Sequence, residues 1–418
     1  MEFSQISKTL SKKIKKEDKK KQGIYFTPQS IIQKNLDILK DYFVNIKHIL
    51  EPSCGTGEYI SVINELYPDI SVTGIEYNKQ IYDSIKDDFP NILNQDFINF
   101  EIEQKYDLII GNPPFYVIKK KDYIFDDSYR EYFTGRANIF ILFIIKSLKL
   151  LNENGILSFI LPYNFLNCLY YDKTRKYIFK NFQILNIQLI KEKKYIDTQQ
   201  PTMIFILQKK STIDNTAFKV NTNRFTILST PENTKTLNEL YQNSSTLGDL
   251  GFNVGVGNVV WNEIKEYLTS DNQQIRLFYS NDIFNKKLIK SKIPEVFFSD
   301  SSINKGKKHF IDYESYCKKN ESKVKSKEEL LLILNRGYGK GDYKFEYSVI
   351  DLDFDYCIEN HLIMIDTIEK FSKREKQKKY DLLIKSMENE KTQKFVNLYF
   401  CNSAINTTEL LHILPIYI

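Results

Sequence analysis

Short apolar runs alternate with amphipathic stretches through the first half of the chain. The apolar runs predict strands at 46–50, 70–76, 92–97, 106–110, 156–161, 184–190 and 202–207. Helical periodicity falls between them, at about 58–66, 78–88 and 137–151. This alternation predicts an α/β domain built on a mostly parallel sheet.

The second half of the chain has a less regular pattern. Short β-like runs lie among charged loops at 254–261, 330–334, 347–352 and 361–365, and a helical C-terminus is predicted over about 366–398. The segment 209–235 is rich in Thr, Asn, Ser and Lys and has little periodicity. It marks a boundary, so we expect one domain at 23–213 and a mixed α+β domain at 214–418.

The composition is that of a folded, soluble protein. The chain has 418 residues, of which 42% are hydrophobic and 27% charged, and this excludes global disorder. Its longest purely apolar run, 139–145, is too short to span a bilayer, so no membrane is expected. Five cysteines without a C-x-x-C pair favour a reducing, cytoplasmic setting. The four histidines lack metal spacing, so we predict no metal.

The net charge is concentrated near the N-terminus. Residues 8–21 hold eight lysines against Glu17 and Asp18, which accounts for the whole formal net charge of +6. A run of like charges favours a solvated arm, so we predict a flexible basic tail over 1–22. The alternative is non-specific contact with phosphates.

A glycine turn follows the first predicted strand. The segment Glu-Pro-Ser-Cys-Gly-Thr-Gly at 51–57 leads from that strand into a helix. Glycine is needed where backbone approaches a ligand, so the segment favours a nucleotide-type cradle over a turn that uses glycine only for packing. It lacks G-x-G-x-x-G, which argues against a dinucleotide.

Acidic residues end the next two predicted strands. Glu76 lies about twenty residues beyond the glycine turn, where a carboxylate can accept hydrogen bonds from both hydroxyls of a ribose. Asp96 could accept a bond from an adenine amino group, with Phe97 packing on the ring. Taken alone, each of these residues is equally explained as an ordinary acidic side chain at the surface or in a turn.

The strongest catalytic motif is Asn112-Pro113-Pro114-Phe115, directly after the strand at 106–110. Neither proline can donate a hydrogen bond, so the loop offers acceptors. The Asn112 amide oxygen and the Pro113 carbonyl can converge on one NH₂ group. Phe115 can stack on a planar ring.

In this order, the motifs resemble a gamma-class (TaqI-type) DNA adenine-N6 methyltransferase of a type II restriction–modification system. The resemblance covers nearly the whole chain. It rests on G-x-x-x-T-P at 23–28, the glycine turn, Glu76, Asp96 and N-P-P-F, with later motifs near 161–166, 200–204, 251–258 and 406–416.

The resemblance implies a Rossmann-like S-adenosylmethionine (SAM) domain followed by a target-recognition domain. It assigns catalysis to Asn112, Pro113, Pro114 and Phe115, with Tyr195 as a stacking aromatic. It assigns the cofactor to Thr27, Glu51, Pro52, Ser53, Cys54, Gly55, Gly57, Glu76, Asp96, Phe97 and Pro114. S-adenosylhomocysteine is then the product of the cofactor, and double-stranded DNA is the substrate.

The Gly-rich loop at 335–341 offers Arg336 and Lys340 to a DNA backbone, or serves only as a connection between strands. We expect a monomer, with any cognate restriction endonuclease acting separately. Two alternatives stay open. One is an N-methyltransferase acting on RNA or a protein glutamine, and the other is a non-catalytic DNA-binding subunit on the same scaffold.

Overall fold

The computed structural model describes residues 3–118, 123–136, 138–190, 201–283, 308–337, 343–400 and 404–418. The chain divides into two units, Met1–Lys235 and Thr236–Ile418. Within the described ranges, no helix is both long enough and apolar enough to cross a membrane.

The first unit is built on one open sheet. Its strands are β1 (His48–Glu51), β2 (Ser71–Ile75), β3 (Ile92–Leu93), β4 (Tyr106–Gly111), β5 (Leu151–Pro162), β6 (Gln183–Ile190) and β7 (Thr202–Gln208). They lie in the order β3-β2-β1-β4-β5-β7-β6, and β7 runs antiparallel to both of its neighbours. The pairs from β3 to β5 are parallel. The predicted Rossmann-like α/β domain is confirmed.

Helices cover both faces of this sheet. They are α1 (Gln5–Lys13), α2 (Lys16–Gln22), α3 (Gln29–Leu39), α4 (Glu58–Leu66), α5 (Lys79–Asp83), α6 (Ile139–Lys149) and α7 (Asp172–Asn181). Side chains alternate across a strand, so Ile109 of β4 joins the core around α6, while Leu108 and Ile110 join the core around α3 and α4. The apolar α6 is buried almost all round.

Three predicted elements differ from the structure in length or in position. The helix expected at 78–88 ends at Asp83, where the hydroxyl of Ser84 donates to the Ile81 carbonyl. The strand expected at 92–97 stops at Leu93, because Asp96 bends the chain by accepting from the Ile98 amide. The expected helix terminator at 152–155 instead lies inside β5.

The prediction of a flexible tail over 1–22 is wrong for residues 3–22, which form α1 and α2. The side chains of Phe3, Leu10 and Ile14 are buried in a small core with Phe26 and Ile81. Leu10 lies within α1, whereas Phe3 precedes its N-cap and Ile14 is its C-cap, so this core holds α1 at its middle and at both ends. The lysines occupy the remaining positions, so a high charge and an ordered helix pair are compatible.

The first unit extends beyond the predicted boundary at 213. The buried guanidinium of Arg175 donates to the carbonyls of Phe165 and Cys168, at 2.8 and 2.7 Å, and also to that of Thr226. The Thr226 amide donates to Asp172 at 2.7 Å. These bonds attach the hairpin β8 (Lys219–Val220) and β9 (Ile227–Leu228) to α7, which moves the division to Lys235.

The second unit is mixed α+β, as expected. Its strands are β10 (Phe252–Val256), β11 (Leu268–Thr269), β12 (Ile275–Phe278), β13 (Phe310–Ile311), β14 (Val324–Lys325), β15 (Leu331–Asn335), β16 (Tyr347–Ile350), β17 (Tyr356–Ile358) and β18 (Leu362–Thr367). Within the described part of the unit they form two sheets, ordered β10-β18-β15-β16 and β11-β13-β12-β17-β14.

The helices that follow are α9 (Lys373–Met387), α10 (Glu390–Tyr399) and α11 (Thr407–His412), while α8 (Pro231–Tyr241) runs across the division of the chain. The helical run predicted over 366–398 is therefore interrupted. A capping box at Ser372 starts α9, and the Asn389 side chain caps the start of α10.

Candidate active site

A crevice with an empty volume of about 750 Å³ opens where the parallel strands of the first unit end. The carboxyl ends of parallel strands are the usual ligand site of such sheets. Residues that follow β1, β2, β3 and β4 line the crevice, together with the segment after α2 and the start of α6. They are Gln22–Phe26, Pro52, Ser53, Gly55, Glu76–Asn78, Ile81, Gln95–Phe97, Asn112, Pro114, Tyr116, Tyr123, Ile139 and Phe143.

The Glu76 carboxylate is held in place by backbone amides. It accepts from the Gly55 amide at 2.9 Å and from the Asn78 amide at 2.6 Å. Burial raises the pKa of Glu76 to about 7, although both hydrogen bonds oppose that change. Each oxygen keeps a lone pair, so Glu76 can accept from hydroxyl groups in the crevice.

Glu51 and Gly57 stabilise the glycine turn. Gly57 has φ +74°, and a Cβ added there would lie 2.6 Å from the Phe89 ring, so this position requires glycine. Burial is the main cause that raises the pKa of Glu51 well above its ordinary value, and the charges of Glu76 and Glu58 add to it. Glu51 Oε2 is buried and has no hydrogen-bond partner in the described part of the chain.

The Asn112 amide is oriented by two acceptors from the segment after α2. Its Nδ2 donates to the Tyr25 carbonyl at 3.3 Å and to Thr27 Oγ1 at 3.1 Å. A carbonyl can only accept, so the NH₂ of Asn112 must face it. Asn112 Oδ1 is therefore an acceptor of fixed direction. It is buried and has no partner among the described residues.

Neighbouring contacts fix the loop around Asn112. The Ser53 hydroxyl donates to the Asn112 carbonyl at 3.2 Å, which joins the glycine turn to this loop. A Cβ added at Gly23 would lie 2.8 Å from Pro114 Cβ, so the chain after α2 packs directly on the prolines. The Phe115 ring meets the Phe140 ring edge to face, with centroids 5.9 Å apart.

At the far end of the crevice, Asp96 is already a well-satisfied acceptor. It accepts from the Ile98 amide at 3.1 Å, from Asn99 Nδ2 at 2.9 Å and from the Tyr123 hydroxyl at 2.8 and 2.9 Å. Burial, then the charge of Asp96, raises the pKa of Tyr116 to about 12. Phe97 is buried, and Lys146 Nζ lies 5.0 Å from its ring centroid.

The structure brings eight of the predicted residues to one crevice. The predicted residues that line it are Pro52, Ser53, Gly55, Glu76, Asp96, Phe97, Asn112 and Pro114. Those that do not are Glu51, which ends β1, and five residues of the adjoining turns and loops: Thr27, Cys54, Gly57, Pro113 and Phe115. Burial, then the charge of Glu51, raises the pKa of the Cys54 thiol, which keeps it protonated.

Three predicted residues remain. Tyr195 and Lys340 fall outside the described residues. Arg336 is exposed in the second unit, where its amide donates to the His361 carbonyl and its carbonyl accepts from the Ile405 amide.

The sequence analysis missed several lining residues. They include Gln22, Tyr77, Asn78, Ile81, Gln95, Tyr116, Tyr123, Ile139 and Phe143. A dense series of aromatic residues follows Phe115 in the sequence. This series was the available indication that the segment lines the crevice. Among the described residues, no cluster of three or more His, Cys, Asp or Glu side chains could hold a metal ion.

The sequence is similar to those of known methyltransferases. Residues 60–196 match the family model of the Eco57I restriction-modification methylase. The chain is 27% identical to the type II methyltransferase M.CvrRI of Paramecium bursaria Chlorella virus XZ-6E, over 99% of each chain. It is also 27% identical to the modification methylase CviBIII of Paramecium bursaria Chlorella virus NC1A, over 100% of this chain and 99% of that protein.

A solved structure is similar over part of the chain. It is a putative class I S-adenosylmethionine-dependent methyltransferase from Listeria monocytogenes, 21% identical, with a TM-score of 0.40 over 54% of this chain and 72% of that one. Over nearly its whole length the chain is similar to type II methyltransferases of restriction–modification systems. This confirms the resemblance found in the sequence at the level of that class.

Proposed function

We propose that the chain transfers the methyl group of SAM to N6 of an adenine within a short sequence of double-stranded DNA, leaving S-adenosylhomocysteine. The observation that carries this proposal is the Asn112 amide. Its NH₂ is committed to Tyr25 and Thr27, and its Oδ1 is left as a buried acceptor. Such an acceptor suits a substrate that presents an exocyclic amine.

The residues of the crevice fit SAM, which carries a positive charge and a ribose with two hydroxyls. Glu76 offers a fixed carboxylate, and Glu51 Oε2 is a buried acceptor without a described partner. Phe97 and Tyr77 offer apolar surface where a purine would lie. Bound there, SAM supplies an electrophilic methyl group on a sulfonium centre.

The catalytic loop then acts by positioning and polarisation. Asn112 Oδ1 and the Pro113 carbonyl accept the two N–H bonds of the adenine amino group. Two such acceptors draw the nitrogen lone pair out of conjugation with the ring and aim it at the methyl donor. The reaction needs no side-chain nucleophile, so preorganised geometry and electrostatics supply the catalysis.

An adenine in a duplex cannot reach this loop, so it must be flipped out of the stack. Phe115 is proposed to stack on the flipped base. The Phe140 ring packs against Phe115 and holds it in place. We propose Tyr195 as a second stacking aromatic.

The second unit is proposed to be the target-recognition domain, with Arg336 and Lys340 contacting the DNA backbone. We also propose that the protein is a cytoplasmic monomer whose cognate endonuclease, if encoded, acts separately. A monomer suffices because the first unit holds the whole crevice.

Analysis of the product tests the proposed function. The chain is incubated with SAM and a library of duplex oligonucleotides, and the nucleosides are identified by mass spectrometry. We expect N6-methyldeoxyadenosine at one sequence. Methylated cytosine, or methylation of RNA or protein with none of DNA, would overturn it.

A further inference from the structure

We propose that the Tyr123 hydroxyl oxygen is a second acceptor, beside Asp96, for the purine amino group of the methyl donor. This inference rests on the proposed function. Tyr123 lines the crevice. Its hydroxyl lies 2.8 and 2.9 Å from the two carboxylate oxygens of Asp96.

The hydrogen bonds at Asp96 determine what Tyr123 can still do. The Ile98 amide and Asn99 Nδ2 already donate to the two Asp96 oxygens, so the tyrosine adds a further donor to a nearly filled carboxylate. A phenol has a single proton, and giving it to Asp96 leaves the lone pairs of the hydroxyl oxygen free to accept. Burial and the charge of Asp96 raise the pKa of Tyr123, so the phenol keeps its proton.

This arrangement predicts selection between purines. A 6-amino purine brings two N–H donors to the acceptors of Asp96 and Tyr123. A 6-oxo purine brings a carbonyl oxygen, which faces the same acceptors without a proton between them. Unpaired polar groups in the crevice cost more binding free energy than paired ones, so we expect the oxo analogue to bind more weakly.

Binding of two product analogues tests this proposal. The Kd values of S-adenosylhomocysteine and S-inosylhomocysteine are measured by calorimetry for the full chain, Tyr123→Phe and the control Tyr129→Phe. Tyr129 belongs to the same segment but does not line the crevice. We expect Tyr123→Phe to weaken the adenosyl compound about tenfold and the inosyl compound hardly at all, with the control unchanged.

An equal loss for both compounds, or no loss for either, would overturn the role of Tyr123. The measurement does not depend on turnover. If the unmodified chain bound neither compound, the proposed function itself would fall, and this inference with it.

Independently, the geometry points to the end of α2 as a contact for the phosphodiester backbone of the DNA. An added Cβ at Gly23 would lie 2.8 Å from Pro114 Cβ and 2.9 Å from the Phe115 amide nitrogen. Lys20 and Lys21 precede Gly23 by three and two residues. Chain reach places their Cα atoms within about 11 Å of it.

Both lysines are available to a partner. They are exposed, and neither forms an ion pair within the described ranges. Lys19, by contrast, is buried and donates to the Ser11 hydroxyl at 2.9 Å. The helix pair carries the entire surplus charge of the chain.

A base that reaches Asn112 brings its own two phosphates to the rim of the crevice. A lysine within about 10 Å of that rim acts inside the Debye length at ordinary salt. The partner is therefore the DNA strand at the flipped nucleotide.

The salt dependence of DNA binding tests this contact. Affinity for the cognate duplex is measured from low to high salt for the full chain, Lys20→Gln with Lys21→Gln, and the control Lys34→Gln with Lys40→Gln at exposed positions in and after α3. Each phosphate contact contributes about 0.9 to the slope of log affinity against log salt, so the first pair should lose about 1.8. The control should keep the slope of the unmodified chain.

An unchanged slope for the first pair, or an equal loss in the control, would overturn this contact. Because binding is read without turnover, a chain that binds DNA but methylates no adenine would contradict the proposed function alone.

Discussion

Asn112 Nδ2 donates to Thr27 Oγ1 at 3.1 Å, across 85 positions of the sequence. The Thr27 hydroxyl thereby orients the Asn112 amide, and the expected contact of Thr27 with the cofactor stays a prediction. The segment after α2 therefore orients the side chain on which the proposed mechanism depends. Its two acceptors hold the NH₂ of Asn112 and leave Oδ1 buried without a partner among the described residues.

Replacing Thr27 tests this relationship. Thr27→Val removes the acceptor at the Asn112 NH₂, so kcat should fall about five- to tenfold, since one hydrogen bond is worth about 1 kcal/mol. The Kd of SAM should stay unchanged. Thr27→Ser keeps the hydroxyl and should retain most of the rate, whereas an equal loss in both variants would contradict this role.

Gly23 offers a test of how closely the N-terminal segment packs on the catalytic loop. Gly23→Ala would place a Cβ 2.8 Å from Pro114 Cβ at φ +67°, so the loop must shift, and we expect methyl transfer to fall at least tenfold. Gly251→Ala is the matched control, because φ there is +75° and no atom lies within 4 Å. Similar rates for the two variants would show that the close contact has no catalytic effect.

The α1–α2 pair is anchored on the glycine turn through Glu58. Its Oε1 accepts from the Ser7 hydroxyl at 2.6 Å and from the Ser4 amide at 3.3 Å. Glu58→Ala leaves the Ser4 amide unpaired and the Ser7 hydroxyl with Thr56 Oγ1 alone, so the free energy of unfolding should fall by about 1–3 kcal/mol in urea titrations. Trypsin should also cleave after the lysines faster.

Glu65→Ala is the control for this anchor, since Glu65 is exposed on the same helix. It should change stability by less than about 0.5 kcal/mol. If both variants changed the free energy of unfolding equally, the hydrogen bonds of Glu58 would make no measurable contribution to stability.

The raised pKa of Glu76 predicts the direction in which the stability of the fold changes with pH. Burial moves this pKa from 4.5 to about 7, so the folded, unliganded chain holds a proton that the unfolded chain releases. Stability from this group is fully present below about pH 4.5 and is lost as the pH rises through about 7, by roughly 3 kcal/mol. Glu76→Gln cannot titrate, so the difference in unfolding free energy between the two proteins should follow this curve. A flat difference would contradict it.

The sheet of the first unit and the residues at its strand ends could be predicted from the sequence. Buried strands leave apolar runs, and ligand-binding groups must follow them, so Gly55, Glu76 and Asn112 were placed by order alone. Their meeting in one crevice needed no further information.

The wall formed by Tyr116 and Tyr123 could not be predicted. Tyr123 contacts Asp96 across 27 positions of the sequence, and no periodic pattern encodes such a contact. The order of α1 was hidden for another reason. The lysine run dominated the composition, while the three apolar residues that hold the helix are widely spaced.

The rate of Asn112→Ala tests the central claim most directly. Single-turnover methyl transfer to the cognate duplex is measured together with the Kd of SAM. Loss of the buried acceptor should lower the rate by about 10²–10³, the usual effect of one polarising group, while the Kd changes by less than about threefold. A rate within a few fold of the unmodified enzyme would contradict the claim that Asn112 Oδ1 grips the amine.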